Sequence, residues 1–154
     1  MADSAEYKVL LALRSQLEAI TVANGFNVDV QAVQLYDKFH DEIPVHPSIM
    51  IGTIDSSEDQ RTWSDYNAIT LRVLMSLSIE TYADEHKEVG EFVADVKKKL
   101  FAEIPMFLGG LSRWLRVDTV DRIHTDEDSG RAGALMVLTI YFRHPIQDPY
   151  TLIP

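Results

Sequence analysis

The chain has 154 residues, no cysteine, and 14 Lys and Arg against 24 Asp and Glu, for a formal charge of −10. That length fits one domain able to bury most of its apolar surface, and the lack of cysteine excludes disulfides, thiol nucleophiles and thiolate metal sites. The charge repels a phosphate backbone, so gripping nucleic acid over a broad surface is disfavoured, while letting it slide past is not.

The opening MADSAEYK has no basic stretch followed by an apolar core, and no apolar run reaches the roughly 18 residues of a membrane span. Synthesis in the cytoplasm without a signal peptide is the expectation. Asp3 or Ser4 can cap a first helix, with Glu6 near its positive end. Tyr7, Leu10, Leu13, Leu17 and Ile20 then form an apolar stripe, and Gly25 after Asn24 supplies a left-handed stop.

Residues 28–36 read as a strand whose phase changes, so a bulge near Gln31 and Ala32 is expected. Residues 37–46 read as a connection, 48–54 as a short strand covered on both faces, and 55–65 as a polar loop carrying Trp63. A loop Trp either folds back on its own domain or meets another subunit, where Trp is enriched.

Residues 69–80 carry the clearest signal. Ile69, Leu71, Val73, Met75, Leu77 and Ile79 alternate with mainly polar neighbours, which makes a strand with one buried face. So long a strand needs partners along its length and belongs near the middle of a sheet. Asp84 and Glu85 begin a second helix with a stripe of Val89, Phe92, Val93, Val96 and Leu100, and three lysines match its negative end. Pro105 ends that element, and residues 106–111 form a loop.

Residues 113–124 predict a strand with Leu115, Val117, Thr119 and Ile123 on one face and a charged face opposite. Ala134, Met136, Leu138, Ile140 and Phe142 alternate in the last strand, so the two make a hairpin with an acidic tip. Pro145 and Pro149 leave residues 144–154 as an extended C-terminal tail. The expected fold is α+β: one mainly antiparallel β-sheet with two α-helices packed on one face, in the order α-β-β-β-α-β-β, as a single domain over residues 1–154.

Two clusters carry residue types capable of chemistry. His40, Asp41, Glu42 and His46 lie close in sequence, but their spacing matches neither a helix face nor a strand face. Glu85, His86 and Lys87 have the residue types of a metal-dependent nuclease, yet at the start of a helix their side chains fan out by about 100° per residue. Phosphate-binding glycine loops and nucleophile elbows are not found. No catalytic, cofactor or metal residue is assigned.

The first helix, ALRSQLEAITVANGF, has Leu13, Leu17 and Ile20 running into Asn24 and Gly25. A strand ending at Tyr36, a charged loop and a Pro-flanked apolar strand from Pro44 to Ile54 follow. In this series, and in the order of its later elements, the chain resembles the tail terminator proteins of long-tailed bacteriophages, also called tail-completion or minor tail proteins. Asp37 and Lys38 stand where that family often has glycine or arginine.

The resemblance implies a non-enzymatic virion protein without cofactors. Proteins of this kind form a ring, typically a hexamer, at the head-proximal end of the tail. The ring caps the tail tube, ends its polymerisation and offers the surface where head-to-tail connector proteins attach. Its partners would be itself, the tail tube protein and the connectors, with genome DNA passing through an acidic lumen unbound and no membrane involved. Assembly would take place in the host cytoplasm.

Trp63, Tyr66, Tyr150, Leu152 and Ile153 lie outside any core stripe and are candidate subunit contacts. Asp126, Glu127, Asp128 and Arg131 form the hairpin tip, which either projects toward the lumen or tube or is a solvated turn. Removal of residues 150–154 is expected to weaken assembly more than folding. A head-to-tail connector or tail-tube component is the alternative of the same class; a metal-dependent nuclease or a monomeric acidic binding domain is the alternative of another.

Overall fold

The computed structural model describes residues 2–35, 45–60, 65–103, 107–124 and 130–153. Helix α1 (Ala5–Glu18) starts at Ser4, whose hydroxyl accepts the Tyr7 N–H, and satisfies one of the free amides of the first turn. Its buried face is Ala5, Val9, Leu13, Leu17 and then Ile20, with Leu10 half-buried and Tyr7 42% exposed. The expected stripe was therefore rotated at its start, because small Ala5 and Val9 let the helix approach the sheet more closely than Tyr7 would. The helix ends at Ala19, and Gly25, with φ of 86°, closes a separate 3-10 turn over Val22–Asn24.

Strand β1 (Ala32–Leu35) is shorter than expected, and the bulge near Gln31 is not needed. Residues 27–31 instead form an irregular link held from three sides. The Asn27 and Val28 amides both donate to the Asp95 carboxylate at 2.7 and 2.9 Å. Val30 N–H donates to the Ile20 carbonyl and Gln31 N–H to that of Pro47. With its backbone hydrogen bonds met this way, the segment has no need of a strand partner.

Strands β2 (Ser48–Gln60), β3 (Tyr66–Glu80), β4 (Trp114–Ile123) and β5 (Arg131–Pro145) complete a five-stranded sheet in the order β1-β2-β3-β5-β4. Helix α2 (Glu85–Leu100), capped by Asp84, joins β3 to the second hairpin. Short 3-10 turns at Val22–Asn24 and Leu108–Gly110 interrupt the expected run of elements. The fold is α+β, but the sheet is mixed. β1 runs parallel to β2, while the other neighbours are antiparallel. Short connections had favoured antiparallel pairing throughout; the link from Leu35 to Ser48 is instead long enough for the crossover that parallel strands need.

β3 is the middle strand, paired with β5 along its whole length from Tyr66 to Glu80. Its alternate residues from Ile69 to Ile79 face both helices and are buried, as the period of two requires. The partners in β5, Ala132 to Phe142, are buried on the same side, and Val89, Phe92, Val93, Val96 and Leu100 of α2 pack over them. Gly133 of β5 leaves no room for a side chain against β3, since a Cβ there would lie 1.9 Å from the Leu77 carbonyl oxygen.

Two strands differ from the periodic reading. β2 continues through residues 55–60, which had been assigned to a loop, because β3 pairs with it as far as Asn67. In β4 the register shifts between Val117 and Thr119, so Asp118 is an extra residue. The bulge returns Val120 to the core side and moves Thr119 and Ile123 to the face opposite Leu115, contrary to expectation.

The C-terminal segment folds back on its own domain. Pro149 accepts from the Ala5 N–H at 2.8 Å, Tyr150 from Lys8 Nζ at 2.5 Å, and Ile153 N–H donates to Arg143 at 2.9 Å. Leu152 packs against the core.

Candidate assembly surface

Both helices cover the side of the sheet bearing Leu71, Val73 and Leu138, and no described element covers the other side. The register fixes what that open face displays. Gly52, Leu74, Val137 and Thr119 form one row across β2, β3, β5 and β4; Met50, Ser76, Leu135 and Asp121 form another. Leu74, Leu135 and Val137 are half-buried by their neighbours alone. Toward the end that carries Tyr66, Ser57, Thr70, Tyr141 and Trp114 share a row, with Trp114 42% exposed.

Between the apolar and aromatic rows runs a charged one, Asp55, Arg72, Thr139 and Arg116. Arg72 grips Asp55 with two parallel hydrogen bonds, Nε to Oδ1 at 2.9 Å and the terminal nitrogen to Oδ2 at 2.6 Å. The guanidinium holds the Asp55 carboxyl below the usual aspartate range, chiefly through those hydrogen bonds, and Arg72 is pushed up in return. The bulged Asp118 accepts from the Thr139 hydroxyl and from Arg116 Nε. Its pKa is lowered, first by the Thr139 hydrogen bond and then by Arg116, against the opposing effect of burial.

Two arginines lie over aromatic rings here: Arg116 over Trp114 at 5.1 Å and Arg143 over Tyr66 at 4.9 Å. Such contacts hold planar groups in place on a strand surface. A face of this kind suits contact with another protein, because aromatic residues and arginine dominate the anchors of protein interfaces.

Of the residues singled out from sequence, Tyr66, Tyr150 and Ile153 lie toward one end of the sheet: Arg143 stacks on Tyr66 and is bridged by Ile153. Tyr150 is 49% exposed, while Leu152 belongs partly to the core. Arg131 pairs with Glu80 at the opposite end of β5, so the structure does not bring it near the others. Trp63, Asp126, Glu127 and Asp128 lie outside the described residues.

Asp55, Arg72, Trp114 and Arg116 were missed. The outward face of β4 was visible as a charged face, but linking it to Asp55 requires knowing the sheet order.

A second feature is a cleft of about 290 Å³ between the 27–31 link, Pro47, the end of β3 and α2. Glu80, Glu88, Asp29 and His46 line it, with the Tyr82 ring alongside. Its carboxylates are occupied: Glu80 accepts from the Tyr82 hydroxyl and Glu88 from the Tyr82 N–H. The Glu85, His86 and Lys87 side chains do not converge, since Glu85 meets His124 at 3.0 Å and Lys87 approaches Glu91 at 4.0 Å. Among the described residues, no group of three or more His, Asp or Glu is placed to hold a metal ion. No described helix is long and apolar enough to cross a membrane.

No protein-family model matches the chain, and no curated protein matches it.

Proposed function

We propose that this chain is a structural assembly protein that works as a closed ring, in the manner of the phage tail terminators it resembles. The ring caps the tail tube, ends its polymerisation, and offers the surface to which the head connectors attach. The observation that carries the reading is the open sheet face. Leu74, Leu135 and Val137, and beyond the charged row Trp114 and Tyr141, lie on the side of the sheet away from both helices. Half-buried apolar side chains with an exposed Trp and arginines at hand are the composition of a protein contact surface.

The net charge of −10 supports the same reading, because an acidic lumen lets DNA move through without trapping it. A tail-tube component or head-to-tail connector is the nearest alternative. The discriminating experiment is mass in solution, alone and with tail tube protein. A terminator stops at one ring and shortens tubes, whereas a tube component stacks into long polymers. The nuclease alternative requires Mg²⁺-dependent DNA cleavage that Glu85→Ala abolishes, and a preparation that cleaves no DNA removes it.

A further inference from the structure

The end of β4 is docked on the first turn of α2. His124, directly after the strand, has Nδ1 3.0 Å from Glu85 Oε1, and Arg122 donates to the His86 carbonyl at 3.4 Å. The same docking brings the rings of His86 and His124 edge to face, with centroids 6.4 Å apart. A carboxylate only accepts, so the hydrogen of a neutral His124 ring sits on Nδ1 and its lone pair on Nε2. Histidines that ligate metals are held in this way, with a carboxylate behind the ring fixing its tautomer and orientation. Neither His124 Nε2 nor a ring nitrogen of His86 has a hydrogen-bond partner among the described residues.

The spacing of the two rings suits a shared ion. Two imidazoles on one tetrahedral zinc, with Zn–N bonds of about 2.0–2.1 Å, have ring centres about 5 Å apart. The remaining gap of about 1 Å closes by small side-chain rotations, because both histidines are exposed. Asp84, Glu85 and Glu88 outnumber Lys87 and Arg122 around this turn, which offsets the positive end of the helix dipole.

We propose that His86 and His124 form an open site for a divalent transition ion of the zinc class, with water completing the shell and Glu85 positioning His124 from behind. Glu85 acts through the ring and is not itself a ligand, in keeping with the lack of a three-ligand cluster among the described residues. With two protein ligands the ion is exchangeable, and when bound it clamps the end of β4 to the start of α2. The inference is independent of the ring reading.

Zinc chloride is titrated by calorimetry into the full untagged chain and into His86→Ala, His124→Ala, Glu85→Gln and His46→Ala. The buffer does not coordinate zinc and is held above the ordinary histidine pKa of about 6.5. Circular dichroism melting with and without zinc shows that each variant folds and reads the clamp; glutamine replaces alanine at either histidine where it does not fold.

The expected result is one zinc per chain, bound about tenfold or more weakly after either change at His86 or His124 and about tenfold more weakly after Glu85→Gln. His46→Ala binds as the unmodified chain does. Zinc raises the melting temperature of the unmodified chain and not that of the two histidine variants. No heat of binding at millimolar zinc overturns the site, as does an affinity that survives both histidine changes. Loss on His46→Ala alone overturns it in favour of His46. Undiminished binding by Glu85→Gln overturns the positioning role of Glu85.

Discussion

Asp95 shows how a single carboxylate can replace a strand. It lies on α2 with 2% of its surface exposed, a position that the helical stripe gives no reason to expect in an acid. Its two oxygens take the Asn27 and Val28 amides and the Asn27 side chain at 3.1 Å, which fixes the link between α1 and β1 against α2. Asp95→Ala leaves the buried Val28 amide unpaired and releases the two Asn27 donors, and a cost of about 1–3 kcal/mol is expected from urea denaturation. Asp118 is the corresponding residue on the open face. Its pKa is depressed in the folded chain, so its contribution to stability is complete above the ordinary aspartate value of about 3.9 and is lost as pH falls through the lower folded value. Urea midpoints from pH 5 downward should therefore fall less steeply for Asp118→Asn than for the unmodified chain. Equal slopes would mean that Thr139 and Arg116 do not hold the carboxylate in solution.

Among the elements, legibility followed periodicity. β3, β5 and α2 have long runs with one buried face each, and their stripes in the structure are those their sequences predict. β4 was read with the wrong phase after Val117, since one bulged residue moves every later side chain to the other face. Residues 55–60 read as a loop because DSSEDQ is polar throughout and carries no apolar alternation; only the pairing with β3 makes them a strand. The open face shared this limit. Its charged row joins residues from four strands, and no local pattern reveals that register. The prolines predict an extended C-terminal tail; its backbone groups are bonded to α1 and β5 and Leu152 packs on the core. Removal of residues 150–154 is accordingly expected to lower folding stability by about 2–3 kcal/mol, from lost burial and hydrogen bonds, in addition to any loss of assembly. Denaturation of the truncated chain separates the two effects. An unchanged midpoint would leave the segment an assembly role alone.

At the scale of the whole molecule, the organising asymmetry among the described residues is that helices occupy one side of the sheet and leave the other uncovered. In the proposed ring, the acidic charge keeps passing DNA from adhering. The most direct test is the mass of the purified chain in solution, measured alone and with tail tube protein over a range of concentrations. The account predicts one species at a fixed whole multiple of the 17.5 kDa chain, which dilution does not shift continuously and which does not grow into stacks. A 17.5 kDa monomer under every condition, or open-ended polymers, would contradict it.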